Sequence, residues 1–370
     1  KAYLRWRVGD AMAPYLSKAY RDAEFDFRGR VLRSESQAPA RWEQVLDAIN
    51  VAAGPMLGRE YTAAYLTADD RRQAALIVDK IREVQIDAVK RSTWMSAEAK
   101  AEAQAKLAAL KIEVGAPLRD LDYTVQPMGR GSFGGNMLIA STWRHAQEMK
   151  RIGKGNADRR WDVLPQQPSL AYDLAQNRLI VTAAVLQAPV FDIKADTASK
   201  FGSYGALVGH ELTRAIDAKG ALVDAQGQLR SWWTPADKTA WSLLGNRVAT
   251  QYSAYPFPGI TAARVNGELT REENLADIAG VELAWEAYTA VEAKAKPDAQ
   301  KAFFRAWAGL WPQQLSPTEA QQRLTSDIRA PGKWRANGPL ANLPAFSAAF
   351  SCKPGQPMQR SEADQIKIWR

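Results

Sequence analysis

Nine residues, Gly209-His210-Glu211-Leu212-Thr213-Arg214-Ala215-Ile216-Asp217, constrain this chain more than any other stretch. They follow the H-E-x-x-H helix pattern up to its last letter. In that pattern two histidines at i and i+4 share a helix face and hold zinc. The glutamate beside the first is general base to the metal-bound water. Here Arg214 stands at the second histidine position. A guanidinium stays protonated and has donors only, so it offers a metal no lone pair. The fold must accommodate a metal-site helix that lacks one ligand.

The chain has 370 residues, enough for two or three domains with large cores. No apolar run approaches the roughly 18 to 20 residues that cross a membrane, so no spanning helix is expected. No signal peptide is visible, and the chain opens on Lys1-Ala2-Tyr3 rather than Met, which reads as a processed or partial product. Net charge is +9, yet no block of five like charges occurs. That pattern describes a solvated basic surface, and no nucleic-acid partner is expected. Cys352 is the only cysteine, which excludes an internal disulfide. It is an idle thiol or pairs with a cysteine on another segment.

Residues 1 to about 112 read as helical throughout. Leu4, Val8, Met12 and Leu16 recur at helical spacing, as do Ile77, Ile81, Val84 and Ala88, and both stripes are expected to face a core. Ser96 is placed to cap an alanine-rich helix running to about Leu110. From Gly115 to about Pro168 turn formers dominate. Gly129 to Gly135 lacks the Lys-Ser/Thr ending of a phosphate loop and reads as surface, and His145 reads as a surface or packing histidine rather than a ligand. Residues 171–174 and 179–181 suit a hairpin around Ala175-Gln176-Asn177. Helices are expected near 203–218, 236–252 and 273–295, and a loop over 326–344.

On the last of those helices Glu273 and Asp277 stand at i and i+4 and share a face. Glu273 suits a third metal ligand, and Asp277 could orient the ligand histidine from behind. Further stretches accompany this pair: Leu186-Gln187-Ala188-Pro189-Val190-Phe191-Asp192, Trp232-Trp233-Thr234, Val265-Asn266-Gly267, Glu273-Asn274-Leu275-Ala276-Asp277, and Arg335-Ala336-Asn337-Gly338-Pro339-Leu340. With the closing Phe350-Ser351-Cys352-Lys353-Pro354-Gly355, the sequence resembles the neprilysin-like zinc endopeptidases, which include bacterial oligopeptidases.

The resemblance covers essentially the whole chain and implies a mostly α-helical protein with a small β-sheet. A thermolysin-like metallopeptidase domain is expected over 116–370, and part of a helical cap lobe over 1–115. It corresponds to somewhat more than the C-terminal half of a family ectodomain, so an N-terminal portion is expected to lie outside it. By resemblance His210 and Glu273 occupy zinc-ligand positions, Glu211 the general-base position and Asp277 the position behind the histidine. Arg335 matches an arginine that contacts substrate carbonyls. Ser169 replaces a substrate-binding asparagine of an edge strand that also includes Tyr172. Arg329 replaces a histidine that stabilises the transition state.

Several functional positions are altered while scaffold motifs remain, which points to a pseudopeptidase without a bound cofactor. In that reading Arg214 bridges Glu211 and Glu273, its charge substituting for the ion. The chain would then bind peptide, or act as a structural or regulatory subunit beside an active paralogue or the absent N-terminal segment. The alternative is a zinc endopeptidase cleaving short peptides, with an atypical site of His210, Glu273 and water or an outside ligand. Family likeness implies a periplasmic or extracellular address.

Overall fold

The structure, a computed structural model, describes residues 1–119, 121–155 and 160–369. In chain order the first helices are α1 (Ala2–Met12), α2 (Lys18–Phe25), α3 (Arg41–Tyr65), α4 (Ala68–Arg91), α5 (Ala97–Ala108) and α6 (Phe133–Met149). Then come α7 (Thr197–Lys200), α8 (Ala206–Thr213), α9 (Pro235–Ser253), α10 (Arg271–Val291), α11 (Pro297–Gly309), α12 (Pro317–Ser326), α13 (Gly332–Leu340) and α14 (Pro344–Ala349). Helix accounts for 57% of residues and strand for 5%, the mostly helical fold expected.

Local chemistry sets the helix starts. Thr67 and Asp70 form a reciprocal capping box on α4, and Thr234 and Asp237 form another on α9. Ser96 Oγ accepts the Ala99 N–H at the start of α5, and the same hydroxyl donates to Asp237 Oδ2 at 2.9 Å. One aspartate thus ties two helix starts together.

The chain divides into two compact units. One comprises Lys1–Ala64 and Ala116–Gln166, and the other Tyr65–Gly115 and Gln167–Arg370. The expected division at residue 115 cuts across both, because residues 65–115 pack with the later chain. In the second unit Ile77, Ile81, Val84 and Ala88 are buried as expected. The α1 stripe in the first unit is not: Leu4 and Val8 are 66% and 60% exposed, and α1 contains no buried residue. Periodicity gave the helix correctly, but it does not say whether a neighbour covers the apolar face.

Three elements depart from the sequence reading. Residues 111–115, taken as a helix end, form strand β1 (Lys111–Gly115). Within the turn-rich region α6 forms, its start capped by Ser132 Oγ accepting the Gly135 N–H. The loop expected over 326–344 contains α13, whose Gly332, Gly338, Pro339 and Leu340 are buried, so tertiary packing overrides the local Gly and Pro signals.

Strands β2 (Leu170–Asp173) and β3 (Arg178–Thr182) form the expected hairpin, and β1 pairs parallel to β3, giving the order β1-β3-β2. Strand β2 is an edge. The Thr182 N–H donates to the Ser169 carbonyl at 3.1 Å, and the register continues with Ala171 opposite Ile180 and Asp173 opposite Arg178. Antiparallel alternation therefore points the main-chain groups of Leu170 and Tyr172 away from β3.

Helices α8 and α10 cross at glycines. A Cβ on Gly209 would lie 2.8 Å from the Gly280 carbonyl oxygen, and one on Gly280 would lie 2.5 Å from the His210 nitrogen. Only glycine at both positions permits this approach, which brings His210 beside the first turns of α10.

Candidate functional site

The candidate site residues named from the sequence all lie in the second unit. Helix α8 presents His210 and Glu211, and Arg214 caps its C-terminal end. Helix α10 presents Glu273 and Asp277, α13 presents Arg335, and the segment before α13 presents Arg329. Close α8–α10 packing and the i, i+4 spacing on each helix bring these side chains together.

The His210 side forms a continuous chain. Asp277 is fully buried, and its Oδ1 lies 2.7 Å from His210 Nδ1. Arg335 donates to the same carboxylate through Nε and Nη2, both at 2.8 Å. Burial alone would raise the Asp277 pKa. The Arg335 charge and hydrogen bonds, followed by His210, hold it well below the usual carboxylate range instead. An ionised carboxylate only accepts, so the ring proton facing it is assigned to Nδ1, and Nε2 is the ring nitrogen turned toward Arg214. Arg335 also lies 3.7 Å above the Trp311 ring. Two of its three nitrogens are committed to Asp277, a structural duty the sequence reading did not assign.

The other side departs from the metal-site pattern. Arg214 Nη2 is hydrogen-bonded to Glu273 Oε1 and lies 3.4 Å from His210 Nε2. Its Nη1 reaches Asp217 Oδ2 at 3.3 Å and the Glu272 carbonyl at 3.4 Å. Burial lowers the Arg214 pKa, but Glu273, Asp217 and Glu211 outweigh it, and the guanidinium stays charged. The expected bridge is thus half right: Arg214 holds Glu273, but its second carboxylate is Asp217 rather than Glu211. Sequence reasoning missed Asp217, whose signal was its place three residues beyond Arg214.

Glu211 finds a different partner. Its Oε2 accepts the outward-pointing Tyr172 N–H of edge strand β2 at 3.1 Å, while Oε1 lies 3.9 Å from His210 Nε2. Burial pushes its pKa up, more strongly than the nearby cations pull it down. Tyr172 turns its hydroxyl back to Asn177 Oδ1 at 2.7 Å. Ser169, half-buried, joins the sheet through its main chain and donates its N–H to Thr182 Oγ1 at 2.9 Å. Arg329 remains 55% exposed, with Nε 3.4 Å from Glu273 Oε2.

These residues do not fit the zinc ion implied by the helix pattern. Zinc takes three protein lone pairs in such a site. His210 Nε2 and Glu273 supply candidates, but the third position holds a donor that occupies the space between them. Among the described residues no group of three or more His, Cys, Asp or Glu side chains is arranged to hold a metal. The geometry instead forms an ion-pair network: Arg335–Asp277–His210 on one side and Asp217–Arg214–Glu273 on the other, with Arg214 facing His210 between them.

Residues 1–117 and 171–366 match models of peptidase family M13. Neprilysin-11 of Caenorhabditis elegans is 27% identical over 376 residues, covering 96% of this chain and 44% of that protein. Membrane metallo-endopeptidase-like 1 of Homo sapiens is 26% identical over 389 residues, covering 99% and 49%. Among solved structures, the zinc metalloprotease Zmp1 of Mycobacterium tuberculosis in complex with an inhibitor superposes with a TM-score of 0.91 at 28% identity, covering 99% of this chain and 57% of that one. PepO from Lactobacillus rhamnosis gives 0.88 at 28% identity, covering 97% and 56%. The chain spans about half the length of these curated relatives. No helix among the described residues is long and apolar enough to cross a membrane. With both family models matched and the fold shared along nearly its whole length, this chain belongs to peptidase family M13.

Proposed function

We propose that this chain is a non-catalytic member of its family that works by binding, with an arginine in place of the metal. The carrying observation is the position of Arg214, bonded to Glu273 and facing His210 Nε2. Without an ion no water is activated there, and Glu211 is held by the Tyr172 N–H. Arg329, at the position expected to steady a transition state, leans on Glu273 from the solvent side. What remains is a recognition surface. Strand β2 has one open edge to which an extended peptide can add as a further strand, beginning at the outward main chain of Leu170.

A structural or regulatory role beside an active paralogue, or beside a polypeptide supplying the rest of the family fold, is a form of the same reading. It is supported by the apolar side chains that α1 leaves exposed. Family likeness also supports a periplasmic or extracellular address.

The test is zinc content after equilibration with zinc and removal of the excess. The expected result is less than one tenth of an equivalent in folded protein; stoichiometric zinc would sink the proposal. Arg214→His is the companion variant. It restores three lone-pair donors and is expected to take up one zinc per chain, which shows that the arginine alone excludes the ion.

A further inference from the structure

Outside the site, α5 carries Lys106, a charged side chain with no exposed surface. Its Nζ donates to the carbonyls of Gly220 and Val223 at 2.9 and 2.7 Å. The Trp232 indole N–H donates to the same two carbonyls, each at 3.1 Å, so both acceptors are fully used. The ammonium also lies 5.9 Å from the Tyr172 ring centroid and 5.8 Å from that of Trp232. Carboxylates face it from two directions: Glu102 on its own helix, and Asp217 and Asp224 on the segment after α8.

These contacts connect to both halves of the site. Gly220 donates its N–H to Asp217 Oδ1 at 2.8 Å, and Asp217 Oδ2 receives Arg214. The amine thus fixes the turn whose aspartate aims Arg214 at Glu273, and it gives buried Asp217 a second nearby positive charge. The Lys106 main chain serves the other half. Its carbonyl accepts from Asn177 Nδ2 at 2.8 Å, and Asn177 receives the Tyr172 hydroxyl on the strand whose N–H holds Glu211.

We infer that Lys106 is a positioning residue that sets the orientation of Arg214 through the Gly220 turn and Asp217. It touches neither His210 nor Glu273, and acts on them only through that turn. A buried ammonium is costly to desolvate, and an apolar side chain would fill this space more cheaply. Its desolvation is offset by the two carbonyls it donates to and by the nearby aspartate. The inference deepens the proposed reading of an arginine-organised site and rests on it for its purpose, although its test does not depend on zinc.

The chain has only two histidines, His210 and the exposed His145, so imidazole resonances report on the site with an internal control. The experiment compares wild type, Lys106→Met, Lys106→Gln and Leu107→Ala by histidine-labelled NMR, with stability measured by denaturant. Leu107 is the next residue on the same helix and is fully buried, so its truncation removes stability without removing a hydrogen bond to the Gly220 turn. The expected result is a His210 shift in Lys106→Met, a smaller one in Lys106→Gln, and none in Leu107→Ala, with His145 unmoved throughout. If Lys106→Met does not fold, Lys106→Gln against Leu107→Ala carries the comparison. An unmoved His210 in the Lys106 variants, or an equal shift in Leu107→Ala, overturns the inference. Zinc content separates this from the parent reading: a stoichiometric ion overturns the arginine-organised site, whereas unmoved His210 signals in metal-free protein overturn only the role of Lys106.

Discussion

His210 and Arg214 stand one helical turn apart, and each has a buried aspartate behind it, yet the two sides of the site have become different devices. Behind His210, Asp277 is held by an imidazole and by two nitrogens of Arg335. Behind Arg214, Asp217 receives a guanidinium instead of an imidazole and spends its other oxygen on the Lys219 and Gly220 N–H groups. A carboxylate that can steady a histidine for a metal can equally steady an arginine that takes the metal's place, because both present N–H donors. The aspartates therefore do not discriminate between a metal and an arginine; in the proposed reading the residue between them does.

The two carboxylates nearest His210 sharpen the contrast. Asp277 has the Arg335 guanidinium and the His210 imidazole in bonding contact and is held ionised, whereas burial dominates at Glu211 and favours its proton. Removing the first should hurt most. Asp277→Ala leaves Arg335 and His210 buried without their shared partner and is expected to cost about 3–5 kcal/mol in denaturant unfolding. A loss below about 1 kcal/mol would show that the two sides do not differ in this way. The Asp277 contribution has a definite sign in pH. Its folded pKa is depressed, so its stabilisation is complete above the unfolded value near 4 and is lost as pH falls toward the folded one.

Glu211 has the opposite sign. Its folded pKa is raised, so the protonated form stabilises the fold at acid pH, and that stabilisation is lost as pH rises through the folded value. Glu211→Gln keeps an acceptor for the Tyr172 N–H and removes the buried charge. It is expected to raise stability at pH 7 by about 1 kcal/mol, with no gain below pH 4. A variant that loses stability at neutral pH would place Glu211 with Asp277 rather than opposite it. Arg329→Ala should do least. Its side chain is half exposed, so thermal unfolding should register a change of less than about 1 kcal/mol. A larger loss would mean that Arg214 alone does not balance Glu273.

The metal-position residues were legible because spacing on two helices fixes which side chains share a face. The hairpin, the Ser96 cap and the α4 stripe were legible for similarly local reasons. Asp217 was visible in sequence but had no assigned task, since a short loop leaves its direction open. The pairing of Arg335 with Asp277 was not legible, because it joins α10 to a helix that the Gly and Pro content of 332–339 had disguised as loop. Nor was the exposure of Leu4 and Val8, because an apolar stripe does not identify its partner.

By itself the sequence determined the family, the helical class, the loss of a lone pair at Arg214 and the charges available to replace an ion. Those follow from residue chemistry and from spacings of three or four along a helix. Only the tertiary structure decided which carboxylate Arg214 takes, that Glu211 turns to the β2 edge, and that a buried lysine more than a hundred residues upstream donates to the carbonyls of the turn after Asp217. The reason is geometric. A guanidinium with several carboxylates within reach is directed by the packing that holds each of them, and that packing comes from glycine-lined helix crossings and long-range hydrogen bonds that no local pattern encodes.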